Sequence, residues 1–227
     1  MKREFAVIGL GRFGASILHE LAQEGMQVIA IDQDEDRINE YKDVASYAIL
    51  ADATDEYTLK DIGITNIDHV IVAIGDDIQA SILTTMILSE LGIKKITVKA
   101  QSHYHGKILK KIGANQVVHP ERDMGRRIAH SIISNNILDY LELSDEHSIV
   151  EIKASEKMIG KTLMDLDVRA KYGCNVIAIK RDADMNVSPM ASEKIAADDI
   201  LILIGSDEDL SIFEKKVVIT DDDKYVG

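Results

Sequence analysis

Three glycines and one acid near the amino terminus could bind a phosphorylated nucleotide. The segment FAVIGLGRFG, residues 5–14, places Gly9, Gly11 and Gly14 in the spacing Gly-x-Gly-x-x-Gly directly after an apolar run. Such a loop between a strand and a helix brings backbone N–H groups and a helix N-terminus against phosphate. Asp32 ends the next apolar run, where a carboxylate can accept hydrogen bonds from ribose hydroxyls. Together these residues predict a site for an adenosine nucleotide.

Arg12, between the second and third glycines, narrows the choice of ligand. A dinucleotide offers only a bridging pyrophosphate there, whereas ATP or ADP has terminal oxygens that a guanidinium matches well. This favours ATP or ADP over NAD, and a solvated loop charge is the alternative interpretation of Arg12. Asp52 follows a third apolar run, where it could face the adenosine or equally cap the next helix.

Composition and charge limit the classes of partner. The chain of 227 residues is 46% hydrophobic and 29% charged, with a net charge of −13. That charge opposes binding to duplex nucleic acid or to an anionic membrane surface. A single cysteine, Cys174, excludes an internal disulfide, and no apolar run reaches the roughly 18 residues of a membrane span. We therefore expect a cytoplasmic protein that binds no nucleic acid, does not insert into a membrane, and reaches one only through a protein partner.

The order of elements predicts an α/β fold. Apolar runs alternate with helical periodicity six times up to Val118, which is typical of a Rossmann-like doubly wound parallel sheet in the order 3-2-1-4-5-6. A strongly apolar helix is predicted next, from Glu121 to Leu141, and it either packs on a second copy of the chain or folds back on its own sheet.

The remaining residues predict a smaller α+β unit. Strands are expected at 148–154, 175–180 and 200–204, with helices at 161–171 and 207–216. The predicted domains are a nucleotide-binding domain at 1–119, a crossover and dimerisation helix at 120–141, a C-terminal domain at 142–217 and an acidic tail at 218–227.

Residues for catalysis on the nucleotide are not evident. A dehydrogenase needs a side chain that exchanges a proton with its substrate, and the chain has no histidine after His147, no nucleophile elbow and no Walker-type loop. We therefore expect a protein that binds nucleotide and changes conformation, not an enzyme. An NAD-dependent oxidoreductase using NAD or NADH is the alternative.

Five segments carry a family resemblance: VIGLGRFG at 7–14, AIGDDIQAS at 73–81, VKAQ at 98–101, HPERDMG at 119–125 and LDVRAKYG at 166–173. Together with Asp32, they resemble the cytosolic gating subunits of Ktr and Trk potassium transporters, the regulator-of-conductance-of-potassium (RCK) family, most closely the Ktr type. The resemblance implies an RCK N-terminal and an RCK C-terminal domain. It also implies homodimers in an octameric ring beneath an integral-membrane potassium pore, with ATP favouring the conducting state and ADP the closed state.

The resemblance also implies roles for individual residues. Arg12 would contact the terminal phosphates, Asp32 the ribose, and Asp52 and Lys99 would line the adenosine pocket. Glu121 would lie at a dimer contact near the phosphates, where Mg²⁺, Ca²⁺ or Na⁺ could bridge. The complete predicted nucleotide site consists of Gly9, Gly11, Arg12, Phe13, Gly14, Asp32, Asp52, Ala53, Thr54 and Lys99, with Glu121 for the cation.

A second ligand is implied for the C-terminal half, which resembles modules that bind cyclic di-AMP at a dimer interface. The matching positions are Arg169, Asn175, Val176 and Pro189, with Leu166 as an apolar flank. Arg169 could instead complement the dipole at the end of a short helix.

Overall fold

The structure is a computed structural model that describes residues 3–133, 137–144 and 146–218. The chain divides into two units, Met1–Glu121 and Arg122–Gly227. The predicted acidic tail falls almost entirely outside the described residues. The first unit alternates strands and helices: β1 Glu4–Ile8, α1 Arg12–Gln23, β2 Gln27–Asp32, α2 Glu35–Tyr41, β3 Tyr47–Leu50, α3 Glu56–Asp61, β4 His69–Val72, α4 Ile78–Glu90, β5 Ile96–Lys99, α5 His103–Lys111 and β6 Gln116–Val118.

Six parallel strands form the sheet of the first unit, in the order β3-β2-β1-β4-β5-β6. The predicted Rossmann-like fold and strand order are therefore confirmed. Successive residues of a strand face opposite sides of a sheet, and β1 follows this rule. Ala6 and Ile8 pack in one buried cluster, and Val7 packs in the other. Helices cover both faces, which leaves the carboxyl edge of the strands available for a ligand.

A helix leads into the second unit, whose sheet is antiparallel. The elements are α6 Pro120–Ile133, β7 Ile137–Ser144, β8 His147–Lys153, α7 Leu163–Leu166, α8 Val168–Tyr172, β9 Asn175–Arg181, β10 Asp184–Val187, β11 Ile200–Ser206 and α9 Asp207–Phe213, followed by a π-helical turn at Glu214–Val218. The strand order is β10-β9-β11-β8-β7. The α+β class predicted for this part is confirmed.

The predicted helix from Glu121 to Leu141 is wrong in its second part. The helix ends at Ile133, and Ile137–Ser144 is strand β7, which runs across the predicted domain boundary and pairs with β8. The sequence ILDYLEL has pairs of apolar or aromatic residues separated by single acids, a pattern that fits a short strand as well as a helix. Two ion pairs join the helix to this strand, one between Arg127 and Asp139 and one between Arg126 and Glu142.

Two smaller differences concern the helices and the short strands of the second unit. The helix predicted at 161–171 is divided into α7 and α8 at Asp167, whose φ of 48° is left-handed. Strand β10 was not predicted, because its residues are polar or exposed and pair only with β9.

Candidate functional site

A cavity of about 920 Å³ lies at the carboxyl edge of the parallel sheet in the first unit. Its size is within the range of small-molecule and cofactor sites. Strands β1 to β5 contribute residues at or just after their ends, and Glu121, three residues after β6, completes this part of the wall. The lining includes the predicted residues Gly9, Gly11, Arg12, Phe13, Asp32, Asp52, Ala53, Thr54, Lys99 and Glu121.

The glycine loop has the geometry for which its residues were singled out. Gly9 has a φ of +91°, which a residue with a side chain rarely adopts. A Cβ atom at Gly14 would lie 1.9 Å from the carbonyl oxygen of Gly9, so α1 can approach the loop only because Gly14 has no side chain. Gly11 faces the cavity, whereas Gly14 is not part of the cavity wall. Gly14 therefore shapes the loop by packing.

Asp32 is held in place by two backbone donors. Its Oδ2 accepts a hydrogen bond from the Leu10 N–H at 2.6 Å, and its Oδ1 accepts one from the Asp34 N–H at 2.9 Å. The side chain is almost fully buried at the end of β2, so these bonds fix the carboxylate towards the cavity. Each carboxylate oxygen has two lone pairs, so the Oδ1 can accept one further hydrogen bond from a ligand in the cavity.

Asp52 does not cap a helix. Its Oδ1 accepts hydrogen bonds from the backbone N–H and the hydroxyl of Thr54, which forms a local turn after β3. The N-cap of α3 is Asp55, whose side chain accepts from the Tyr57 N–H. The capping alternative for Asp52 is therefore wrong, and the residue lies at the cavity wall beside the strand that ends in Asp32.

Lys99 and Glu121 form an ion pair on the other side of the glycine loop. Lys99 Nζ lies 2.5 Å from Glu121 Oε1 and 5.8 Å from the centre of the Phe13 ring. The hydrogen bond from Lys99 holds the pKa of Glu121 below its usual value, and the charge of Arg12 lowers that pKa further. Lys99 thus lines the cavity, and β1 and β4 lie between its strand, β5, and the strands β2 and β3 where the adenosine is predicted.

A metal ion bound by this chain alone fits these residues poorly. The carboxylate of Glu121 already binds an ammonium and is close enough to Arg12 to be affected by its charge. Over residues 3–133, 137–144 and 146–218, no three His, Cys, Asp or Glu side chains are grouped as metal ligands. A bridging cation would need further ligands from phosphate, water or a second subunit.

Arg37 is a cavity residue that the sequence analysis missed. It belongs to α2, and its Nη1 lies 3.5 Å from Asp32 Oδ2 while its Nε lies 3.5 Å from Asp34 Oδ2. Other lining residues were missed as well, although the rule that strand ends meet at one edge could have found several of them: Gln33, Asp34, Asp76, Asp77 and Gln101.

The residues predicted for a second ligand lie in the second unit. Arg169 is exposed on α8, where it belongs to the last turn, while Asn175 and Val176 begin β9. Pro189 lies two residues after β10, the strand that pairs with β9, and the N–H of the preceding residue, Ser188, donates to the carbonyl of Ile177. Leu166 is buried in the core of the unit.

No helix in the described part of the chain is both long and apolar enough to cross a lipid bilayer.

Comparison with known proteins identifies both units. The TrkA-N domain family matches residues 5–120, and the TrkA-C domain family matches residues 147–224. The chain is 63% identical over 220 residues to the Ktr system potassium uptake protein C of Bacillus subtilis, covering 97% of this chain and all of that protein. It is 50% identical over 214 residues to the Ktr system potassium uptake protein A of the same organism, covering 94% and 96%.

Solved structures agree on the fold. The RCK domain of GsuK superposes with a TM-score of 0.68 at 16% identity, covering 97% of this chain and 48% of the GsuK chain. The chain covers both Bacillus relatives almost end to end, and its two units match the two domain families. These matches show the family of the chain. The chain belongs to the family of Ktr potassium uptake proteins, which join a TrkA-N domain to a TrkA-C domain.

Proposed function

We propose that this chain is the ligand-sensing regulatory subunit of a Ktr-type potassium uptake system and that it binds ATP and ADP without transforming them. The observation that carries the proposal is a cavity that places the fixed carboxylate of Asp32, suited to a ribose, at one end. The cationic side chains of Arg12 and Lys99 lie at and beyond the glycine loop in the same cavity. Its described wall contains no histidine, tyrosine or cysteine, and the acids and the lysine nearest the glycine loop, Asp32, Glu121 and Lys99, are held by backbone N–H groups or by each other. The site is therefore equipped for binding.

Binding regulates a protein when the ligand favours one conformation over another. ATP and ADP differ only in the terminal phosphate, so a conformational preference requires a residue that contacts that phosphate. Arg12 is exposed at the first turn of α1 and lines the cavity, which suits it to this role. A coupling of about 1–3 kcal/mol per site is typical of allosteric proteins, and it would bias a pore when several subunits act together.

The partners we propose are further copies of the chain and an integral-membrane potassium pore subunit. The helix α6 supports the first, because Met124, Ile128 and Ile132 share one face at a spacing of four and are 50% to 73% exposed. We propose homodimers assembled into an octameric ring at the cytoplasmic face of the membrane, with attachment through the pore subunit only.

Calorimetric titration of the full chain with ATP and with ADP tests this function. We expect wild type to bind both, with a preference for ATP that Arg12→Ala abolishes. Arg3→Ala is a suitable control, because Arg3 is exposed and is not among the cavity residues. Potassium flux into vesicles that contain the pore subunit should rise with ATP and fall with ADP. Tight binding of NADH that ATP does not displace would instead indicate an oxidoreductase.

A second ligand, cyclic di-AMP, is proposed for the C-terminal domain at 142–217, while the adenine nucleotide belongs to the domain at 1–119. The pairing of β9 with β10 supports the proposal, because it bonds the neighbour of Pro189, Ser188, to the neighbour of Val176, Ile177. Arg169 makes no ion pair with the described residues and could bind phosphate. Arg169→Ala should abolish calorimetric binding of cyclic di-AMP, whereas Lys161→Ala on the same unit should not. Unchanged binding in Arg169→Ala would contradict this assignment.

A further inference from the structure

A second cavity, of about 280 Å³, lies within the second unit. Its volume is just below the range of sites for drug-sized ligands, so it suits a smaller molecule. None of its described wall residues is among those predicted for cyclic di-AMP. The wall consists of side chains from α6, β7, β8, α9 and the turn that follows α9: Arg126, Ile137, Tyr140, Val150, Ile152, Asp207, Leu210, Ser211 and Glu214.

The buried part of this wall is apolar. Four of its residues belong to the hydrophobic core of the unit and are 7% exposed or less: Ile137, Val150, Ile152 and Leu210. Two of them, Ile137 and Ile152, are paired across the neighbouring strands β7 and β8. A ligand would place an apolar part against these side chains, because removing apolar surface from water is favourable.

Asp207 provides a fixed carboxylate in the polar part of the wall. Its Oδ1 accepts a hydrogen bond from the Tyr140 hydroxyl at 3.0 Å and lies 2.6 Å from the Oγ of Ser148, which is fully buried. Burial, and then the hydrogen bond with Asp207, raise the pKa of Tyr140 above its usual value, so the hydroxyl remains a donor. These bonds hold one oxygen of Asp207, while its Oδ2 has no hydrogen-bond partner among the described residues.

An acid that only stabilises the fold is bonded differently in the same unit. Asp199 is fully buried, and both of its oxygens are used: the Oδ1 accepts from Arg181, and the Oδ2 accepts from Arg181 and from the Ala196 N–H. Asp207 instead lines a cavity with one oxygen held and the other unused. A fixed carboxylate with an unused oxygen is suited to a cationic hydrogen-bond donor.

The charge of the wall also favours a cation. Glu214 follows Asp207 by seven residues, about two helical turns, and its carboxylate makes no ion pair within the part of the chain that the structure describes. The cationic wall residue Arg126 is already paired with Glu142. The two acids are therefore not neutralised, and the hydroxyl of Ser211, between them in sequence, can accept a further hydrogen bond.

We propose that this cavity binds a small organic ammonium ion, with its charged group at Asp207 and Glu214 and its apolar part against the buried side chains of the wall. An inorganic cation would leave the apolar part of the wall without a contact. A neutral molecule would leave both carboxylates without a cation. The site adds a ligand class to the adenine nucleotides proposed above, and its existence does not depend on them.

Calorimetric titration of the full chain with butylammonium chloride tests this site, with butanol, sodium butyrate and potassium chloride compared at the same ionic strength. We expect only butylammonium to bind, because it alone combines the charge with an apolar chain. Asp207→Asn should weaken its binding by about tenfold or more, the effect of losing a hydrogen bond with a charged group. Asparagine keeps an oxygen for Tyr140 and Ser148. Glu214→Gln, which breaks no bond with a described residue, should weaken binding by about two- to fivefold.

Glu208→Gln is the matched control. Glu208 follows Asp207 in the first turn of α9, is exposed and is not among the wall residues, so this variant should bind butylammonium as wild type does. Four results would overturn the inference. Wild type could fail to bind butylammonium, butanol could bind equally well, or potassium chloride could give the same binding isotherm. Unchanged affinity in both Asp207→Asn and Glu214→Gln would place the ammonium ion elsewhere on this acidic chain.

Discussion

Gly14→Ala adds one methyl group and should damage both stability and nucleotide binding. Gly14 is the third residue of α1, and a Cβ atom there would lie 1.9 Å from the carbonyl oxygen of Gly9 and 3.0 Å from the Cβ of Ala73. Real Cβ atoms essentially never approach another atom closer than 3.0 Å. The helix would therefore have to retreat from the loop by about 1 Å, in a well-packed region.

The expected loss follows from the cost of overpacking. Inserting a methyl group into a packed core costs about 1–3 kcal/mol, and contact with a backbone oxygen belongs at the upper end, about 3 kcal/mol. At about 2–4 °C per kcal/mol for a chain of this size, the melting temperature should fall by about 6–12 °C. Affinity for ATP and for ADP should fall together, because the loop from Gly9 to Gly14 carries the N–H groups for the phosphates they share.

Gly125→Ala is the matched control. Gly125 lies in α6, and a Cβ atom there would have nothing within 4 Å. Alanine in an open helical position should stabilise the protein by about 0.5–1 kcal/mol. Thermal unfolding by circular dichroism and calorimetric titration would be measured on both variants. If Gly14→Ala melted within about 2 °C of wild type and bound ATP normally, the close approach of helix and loop would not be the constraint described here.

Three further predictions follow from buried groups. Asp32→Asn should weaken ATP and ADP binding by about tenfold each, without changing their ratio, because the ribose is common to both ligands; calorimetry measures this. Arg181→Met should lower the free energy of unfolding, measured in urea, by about 3 kcal/mol, because Asp199 is fully buried and its carboxylate loses the guanidinium that pairs with it. The ion pair lowers the pKa of Asp199 from its usual 3.8, so the stabilisation is present above about pH 4 and is lost as the pH falls through the lowered pKa. The urea unfolding curves of wild type and Arg181→Met should therefore converge at that low pH. Burial raises the pKa of Cys174 to about 11, so the native protein should resist thiol alkylation at pH 8 and react in urea.

The strands of the parallel sheet and the glycine loop were predictable because each has a clear signal in consecutive residues of the sequence. Runs such as Val28–Ile31 are apolar on both faces, which only a strand covered on both sides allows. Gly9 and Gly14 are required by the geometry of the loop and of the helix that follows it. The strand β7 was not predictable in the same way, because a helix and a half-buried strand can both accommodate its leucines. These residues form a strand because they pair with β8, and this pairing is a tertiary contact that the local sequence does not show.

The positions of Lys99 and Arg37 show a different limit. The predicted strand order already places the end of β5 on the side of the glycine loop away from β2 and β3, so the sequence indicates the edge from which Lys99 approaches the cavity. How far its side chain reaches, and that it meets Glu121 from beyond β6, depends on strand register and side-chain direction. Arg37 was missed because a helical arginine five residues after Asp32 carries no signal of its own.

The charge of the cavity explains why few residues should decide which nucleotide is preferred. The wall carries the carboxylates of Asp32, Asp34, Asp52, Asp76, Asp77 and Glu121 but only three cationic side chains, Arg12, Arg37 and Lys99, within a chain of net charge −13. At long range, each added phosphate is therefore repelled. ATP can be preferred over ADP only through short contacts that outweigh this repulsion. Because Arg37 lies beside Asp32, at the end predicted for the ribose, and Lys99 is paired with Glu121, Arg12 is the wall cation suited to such a contact, and replacing it should cost the protein most of its ability to distinguish the two nucleotides.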